Sequence, residues 1–319
     1  MRKNYSNIYS FNKKILNKSV ASLKNGDVIG LPTETVYGLA GNAYSTNSIK
    51  KIYRLKKRPN INPLIIHFYD LKMLNENVYM NDDFYKLYEK FCPGPITFIL
   101  KKKVNSKIRL NALANLNTVA VRFPNHKIVR SILKKIKFPL AMPSANLSSR
   151  VSPINAADVA EEFDSKLKLI IDGGKSKVGI ESTVIDLVEK PTILRPGIID
   201  IVSIKKVLKS KIETLKKYSV IKSPGLLKRH YSPGIPVILN CTSSSNNDAL
   251  ITFGKKYKFK KNYFNLSVNS DLKEAASNLY RILRKIRNLG YKKIRVVKIP
   301  NIGSGIAIND RLKRAAFRK

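Results

Sequence analysis

The chain has 319 residues, 61 Lys and Arg against 21 Asp and Glu, and a formal net charge of +40. The length fits two domains of about 150 residues each, and two cysteines, Cys92 and Cys241, exclude a disulfide framework and a cysteine-ligated structural zinc and fit a reducing, cytoplasmic setting. His67, His126 and His230 lack HxxxH or HExxH spacing, so no protein-ligated metal is expected; no run approaches the ~18–20 apolar residues of a membrane span, and the opening MRKNYSNIYSFNKK lacks the apolar core of a secretory signal.

Along the chain, Ile15, Leu16, Ser19, Val20 and Leu23 share one helical face, with Gly26 as the stop. DVIGLPT reads as a short strand. Thr46 is placed to cap a helix that buries Ile49, Ile52 and Tyr53 and ends by Pro59. PLIIHFY is a strand, and Phe84, Leu87, Tyr88 and Phe91 recur at helical spacing up to the break Pro93-Gly94-Pro95. ITFIL and TVAVRF are strands. Val129, Ile132, Leu133 and Ile136 mark a helix, and PLAMPSA, KLIIDGG, STVIDLV and TILRPG are further extended segments. That is more strand than a βαβ ladder holds, so residues 1–212 predict a twisted, mixed α/β sheet. From Lys205 to Tyr218 the chain is polar and lysine-rich, and SPGLLKRHYSPG is dense in Pro and Gly. Residues 213–234 therefore read as a linker, although Lys228, Arg229, His230 and Tyr231 are unusual in a passive spacer. Residues 235–319 restart the pattern with strands IPVIL and ALITFG, an amphipathic helix from Leu272 through Ile286 to Gly290, strand RVVKIP and helix INDRLKRAAF. That order predicts a small open α/β, Rossmann-like domain.

The charge admits two readings. One is a polyanion partner such as RNA; the other is compositional drift, because the lysines are spread over both halves instead of forming one stripe with interleaved aromatics. Drift is the better fit, and leaves room for weak, salt-sensitive RNA contact.

Phosphate-loop, GxGxxG and GxSxG motifs are absent; GGKSKVGIES lacks the Gly-Lys-Ser/Thr ending. Polar clusters instead sit at the ends of expected strands, where open sheets hold ligands. They are Thr33, Glu34, Thr35 and Tyr37; Lys56, Lys57, Arg58, Asn62 and His67; Arg122; Ser144, Asn146 and Ser152; and Ser182, Thr183 and Arg195. Lys57 reads as a solvated helix end, and His67 by itself as a hydrogen-bonded core histidine. Arg122, between Val121 and Phe123, demands an anionic partner. Together these residues suit an anionic ligand with many oxygens.

The ordered series PTETVYGLAGNA, KRPNINPLIIH, FCPGPIT, VAVRFP, PSANLS, DGGKSKVGIESTVID and ILRPG resembles the YrdC-like catalytic domain of threonylcarbamoyl-AMP synthases. HYSPG and the tail with INDRLKRAA resemble the two-domain form of that family. The resemblance implies a reaction of L-threonine, bicarbonate and ATP, with Mg²⁺ carried on the nucleotide, giving threonylcarbamoyl-AMP and pyrophosphate. Downstream proteins would pass the threonylcarbamoyl group to adenosine 37 of ANN-decoding tRNAs. It implies that Thr35, His67, Arg122, Met142 (through its backbone) and Ser182 hold threonine. Arg58, Asn62, Thr118, Ser144, Asn146, Ser152, Arg195 and Tyr231 would hold ATP, and Lys56 with Arg58 would act on the phosphates. The linker's own aromatic and basic residues, between Pro224 and Pro233, predict a lid over the cleft, the alternative being that Tyr231 packs at the domain interface. Ser149 stands where the family usually has glycine, and Ile154 where it usually has threonine. Competing readings are a double-stranded-RNA or tRNA binder and a carbamoyl-transfer enzyme.

Overall fold

The computed structural model describes residues 5–210, 212–214, 230–257 and 259–317. Lys228 and Arg229 of the linker lie outside the described residues.

The larger unit has strands β1 (Ile8–Ser10), β2 (Ile29–Leu31), β3 (Gly38–Asn42), β4 (Ile65–His67), β5 (Ile96–Lys101), β6 (Thr118–Arg122), β7 (Leu140–Ala141), β8 (Ile170–Asp172), β9 (Thr183–Asp186), β10 (Thr192–Arg195) and β11 (Glu213–Thr214). They form one sheet in the order β1-β8-β2-β3-β7-β4-β6-β5-β9-β10-β11. Parallel pairs such as β4 with β6 are combined with antiparallel pairs such as β5 with β6, which is the expected mixed sheet. Helices α1 (Lys13–Lys24), α2 (Thr46–Lys56), α3 (Leu71–Asn75), α4 (Asp82–Phe91), α5 (Lys127–Ile136), α6 (Ala156–Phe163) and α7 (Ile201–Leu208) accompany it. The expected periodicities decide what is buried: Ile15, Ser19 and Leu23 on α1, and Ile128, Val129, Ile132, Leu133 and Ile136 on α5, face one core.

The smaller unit has strands β12 (Val237–Ile238), β13 (Asp248–Thr252), β14 (Tyr263–Asn265) and β15 (Lys293–Val296), with helices α8 (Leu272–Asn288) and α9 (Ser304–Ala316). Its strands pair in parallel in the order β12-β15-β13-β14, the open sheet that the tail's pattern predicts.

Three expectations need correction. Ser45, not Thr46, caps α2: its Oγ accepts from the Ser48 amide at 3.2 Å, and Thr46 is the first helical residue. The lysine-rich stretch after Lys205 is partly ordered structure, because Ile204 and Leu208 of α7 fall one helical turn apart and bury their side chains among the lysines. The linker also starts late, since Glu213 and Thr214 pair with β10 as the edge of the large sheet. The sequence reading missed β3, whose GLAGN has neither β-branched residues nor alternation.

The two units share a core. Val36, Val151, Ile154, Ile180 and Tyr231 pack into the cluster of the smaller unit with Leu279, Tyr280 and Leu283 of α8. Around this apolar contact runs a charged one. Arg284 of α8 donates to the Val151 carbonyl at 2.7 Å and to Glu162 at 3.1 Å, and Arg287 donates to Glu161 at 2.5 Å. Arg284 and Glu162 are both buried, so neither charge has water to fall back on. Arg284→Ala leaves the buried Glu162 carboxylate only the Leu147 amide and the exposed Arg150 as partners and should lower unfolding free energy by about 3 kcal/mol, read by urea denaturation. Arg287→Ala, at the half-exposed edge of the same contact, should cost under about 1 kcal/mol.

Candidate active site

The register of two strands builds the centre of the site. β4 and β6 run parallel with His67 opposite Arg122, so both side chains reach the same end of the sheet. Ile65, Ala120 and Thr118 lie on the same face as these two by strand alternation, and Ile65 and Ala120 pack with Ile99, Val184 and Leu194 in a small apolar floor. Above this face lies a cavity of about 40 Å³, lined among others by Thr33, Tyr37, Gly38, Arg58, His67, Arg122, Met142, Ser144, Glu181, Arg195, His230 and Tyr231. Gly38 must lack a side chain, because a Cβ there would stand 2.4 Å from Met142 Cγ.

Arg122 has an internal counter-ion that the sequence did not reveal. Its Nη2 donates to Glu34 Oε1 at 2.7 Å and to Thr35 Oγ1 at 2.8 Å, while Glu34 Oε2 accepts from the Asn125 amide. Its Nε is buried with no hydrogen-bond partner, a donor left over in the cavity wall. Burial first, and Arg122 second, hold the His67 imidazole well below its usual range, so it is neutral at physiological pH. Its Nδ1 is also buried and unpartnered.

Arg58 is fixed by its own loop, donating from Nε to the Asn62 carbonyl at 3.0 Å and from Nη2 to the Pro63 carbonyl at 2.9 Å. Burial draws its pKa down to about 10, which leaves it charged at neutral pH. Arg58 also borders an open depression of about 490 Å³ with Lys50, Tyr53, Arg54, Asn60 and Asn111. Arg195 is set by Ser182, donating to its carbonyl at 3.1 Å and to its Oγ at 3.0 Å; Thr97 Oγ1 lies 2.7 Å from the same hydroxyl. Glu181 sits on the cavity wall between Ser152 Oγ at 2.5 Å and Tyr280 OH at 2.7 Å, with Arg311 Nε at 3.2 Å. Burial alone would raise its pKa, but Arg311, Arg195 and the two hydroxyls hold it down at about 2.

The structure thus brings Arg58, His67, Arg122, Met142, Ser144, Arg195 and Tyr231 to one cavity, with Thr35, Ser152 and Ser182 bonded to its lining residues. Met142 has its amide N–H committed to the Ile65 carbonyl at 2.9 Å. Asn62 is fully buried with both side-chain polar atoms unpartnered, as is Asn146 Oδ1. Lys56 is buried but not in the lining. Its Nζ donates to the Ser144 and Asn146 carbonyls, at 2.5 and 2.6 Å, and so holds the PSAN turn from behind. Burial, then repulsion from Arg58, lowers its pKa well below the ordinary lysine value. Lys57 is exposed, as expected of a solvated helix end. Thr118 is half-buried at the far end of β6, four residues along the same face from Arg122 and about 13 Å away. Glu181, Tyr280 and Arg311 escaped the sequence reading, and Glu34 was placed in the PTETVYG cluster without its pairing to Arg122. Glu181 adjoins the recognised Ser182, and the only sign of Arg311 was its place in INDRLKRAA.

Comparison with known proteins finds matches along the whole chain. Residues 21–197 match the Sua5–YciO–YrdC family described as "Telomere recombination", and residues 199–317 match the family "Threonylcarbamoyl-AMP synthase, C-terminal domain". The chain is 35% identical to the threonylcarbamoyl-AMP synthase of Pyrococcus abyssi over 92% of each chain. It is 33% identical to that of Bacillus subtilis, over 96% of this chain and 94% of the relative. A crystal structure of P. abyssi Sua5 complexed with L-threonine superposes with a TM-score of 0.88 at 32% identity, covering 97% of this chain and 96% of the other.

Both departures from the family pattern have a structural outcome. Ile154 is fully buried in the core shared with the smaller unit. Ser149 has φ of 68°, the left-handed region, and its carbonyl accepts from the Ser232 amide at 2.8 Å. A side chain there is strained where glycine would not be. Ser149→Gly should therefore raise unfolding free energy by about 0.5–1 kcal/mol, measured by urea denaturation; a loss of stability would mean that the Ser149 side chain holds more than the backbone costs.

Proposed function

We propose that this chain, which belongs to the threonylcarbamoyl-AMP synthase family, joins L-threonine, bicarbonate and ATP in the cavity over β4 and β6, releasing pyrophosphate. The observation that carries the reading is the cluster of buried guanidinium groups of Arg58, Arg122 and Arg195 around one small space with unpartnered polar atoms facing inward. Such a cluster calls for ligands with several anionic oxygens.

On this reading the threonine carboxylate takes the leftover Nε of Arg122, and Thr35 and Glu34 fix the guanidinium so that it arrives oriented. Neutral His67 offers Nδ1 as an acceptor toward the threonine hydroxyl or amine. The amine and bicarbonate condense to a carbamate with loss of water. A carbamate oxygen then attacks the α-phosphorus, and the bond to the bridging oxygen of the β-phosphate breaks, so that pyrophosphate leaves. No covalent enzyme intermediate is needed. The protein's task is alignment and charge stabilisation. Arg195 and Arg58 supply that charge, Ser144 lines the path, and Lys56 acts as a positioning residue through the Ser144–Asn146 turn. Glu181 is committed to Ser152, Tyr280 and Arg311, so Mg²⁺ arriving on the triphosphate would draw most of its ligands from phosphate and water oxygens.

ATP needs roughly 300 Å³ or more, far beyond the closed cavity. Three features offer room. The sheet face from Arg122 past Ala120 leads to Thr118, and Arg58 opens on the larger depression. The third is movement of His230 and Tyr231, which form part of the cavity wall at the end of the linker. Tyr231 stacks on Tyr280 with centroids 5.8 Å apart, so it packs at the interface between units as well as on the cavity. A lid that covers the nucleotide would protect the mixed anhydride from water. The product feeds N6-threonylcarbamoyladenosine formation on ANN-decoding tRNAs through separate transfer proteins.

Purified protein should release pyrophosphate only when L-threonine, bicarbonate and ATP are all present; release without bicarbonate, or equal release with L-serine, would count against the assignment. Arg122→Lys is more informative than Arg122→Ala, because lysine keeps a charge beside Glu34. It should weaken threonine use by about 1–2 kcal/mol with the KM for ATP within about twofold. If the KM for ATP moves instead, the carboxylate site lies elsewhere. Tyr231→Ala should fold and bind threonine but leak AMP and free threonine, seen by chromatography of the products. Intact threonylcarbamoyl-AMP at the parent rate would reduce the linker to a tether.

A further inference from the structure

The smaller unit reaches the cavity through one carboxylate. Glu181 is a residue of the larger unit, and Ser152 Oγ of the same unit donates to its Oε1. Its Oε2 accepts from two residues of the smaller unit, Tyr280 of α8 at 2.7 Å and Arg311 of α9 at 3.2 Å. Arg311 is fully buried, and its Nη1 donates to the Pro196 carbonyl at 2.6 Å, immediately after Arg195. Asp310 Oδ2 accepts from the same Nη1 at 2.9 Å, which completes the charge balance. The same two side chains also hold Tyr231: Tyr280 stacks on its ring, and the Arg311 guanidinium lies 5.3 Å from its centroid.

Ser152, Arg195 and Tyr231 come from three separate segments, and each is assigned to ATP on the reading above. All three rest on Tyr280 and Arg311, directly or through Glu181. Ser182, which follows Glu181 in the chain and anchors Arg195, is drawn into the same arrangement. A carboxylate this deeply buried is tolerable as an anion only while its donors stay in place. Withdrawing either donor leaves Glu181 to lean on the Ser152 hydroxyl that already bonds it and on the positive field of Arg195, the groups a nucleotide needs.

We propose that Glu181 is a positioning residue through which the C-terminal unit, by Tyr280 and Arg311, holds the nucleotide side of the cavity in its binding shape. The threonine side has its own support in Glu34, Thr35 and Arg122, all within the larger unit, so the two substrates should respond differently. This inference rests on the proposed synthase reading, because it takes Ser152, Arg195 and Tyr231 as ATP contacts.

The test uses the full-length protein and binding, not turnover. Calorimetric titrations with ATP–Mg²⁺ and, separately, with L-threonine are compared for the parent, Tyr280→Phe, Arg311→Lys and Arg287→Gln. Tyr280→Phe keeps the ring stack on Tyr231 and removes only the hydroxyl that bonds Glu181. It should weaken ATP binding about tenfold and leave threonine binding within about twofold. Arg311→Lys should act in the same direction and more strongly, because lysine cannot span Glu181 and Pro196 together. Arg287→Gln crosses the same interface without touching Glu181 and should change neither affinity. Parent-like ATP binding in Tyr280→Phe would overturn the proposal, as would equal losses for ATP and threonine, which mark a general loosening of the fold. If Arg311→Lys does not fold, Tyr280→Phe decides alone. A parent that binds no ATP would sink the synthase reading first and this inference with it; a parent that binds ATP while Tyr280→Phe behaves as wild type sinks this inference only.

Discussion

Several buried positive charges have to be reconciled in one place. Arg58, Arg122 and Arg195 line a single cavity while almost wholly withdrawn from water, and Arg311 is buried behind them. In a low-dielectric interior such groups repel one another and lose their hydration, a cost of several kcal/mol per ion unless each finds a partner. Two carboxylates meet that demand from opposite sides: Glu34 takes Arg122, and Glu181 takes Arg311 while standing near Arg195. Backbone carbonyls take the rest, Asn62 and Pro63 for Arg58 and Ser182 for Arg195. The loops at the ends of β4, β6 and β9 are arranged around these partners. What the protein's own acceptors leave over, notably the Arg122 Nε, is the capacity an anionic ligand can use.

The net charge of +40 acquires a different meaning in this light. A chain so basic repels itself, and its few acidic residues matter most where they are placed. Asp158, Glu161 and Glu162 on α6, with Glu181, face Arg284, Arg287 and Arg311 across the contact between the units. The scarce carboxylates thus serve the interface and the cavity, while the abundant lysines stay mostly on the surface. This is why composition alone suggested drift: the informative charges are the minority ones, and their positions only acquire meaning after folding.

What the sequence made legible follows from what each signal depends on. The helical face of α5 and the mixed sheet could be read because apolar periodicity is local. Arg122 was legible for a similar reason, since a cation in an apolar strand is anomalous in its own neighbourhood. Its partner Glu34 was not, because the pair spans 88 positions and only the sheet order β2-β3-β7-β4-β6 sets the PTETVYG turn between β2 and β3 beside the end of β6. Glu181 and Arg311 are 130 positions apart and were hidden for the same reason. Lys56 reads as a cation that works beside Arg58, and its burial against the PSAN carbonyls shows only once that turn is laid across it. β3 was missed because Gly and Ala let the chain approach Met142 closely, and such residues carry no strand signature.

The position of Tyr231 ties these points together. Its φ of 62° is a left-handed backbone that a bulky side chain adopts at a cost of about 1–2 kcal/mol. Its hydroxyl is buried without a hydrogen-bond partner, which costs about 1–3 kcal/mol more. The stack on Tyr280 and the Arg311 cation over its ring oppose that cost. A residue held by two favourable ring contacts against an unmet hydroxyl and a strained backbone stands near balance. A nucleotide that offered the hydroxyl an acceptor would tip that balance without breaking the stack, because the ring and the hydroxyl use different edges of the side chain. The same side chain can therefore wall off the empty cavity and still contribute to holding a ligand, and what decides between the two roles is whether an acceptor reaches the tyrosine oxygen.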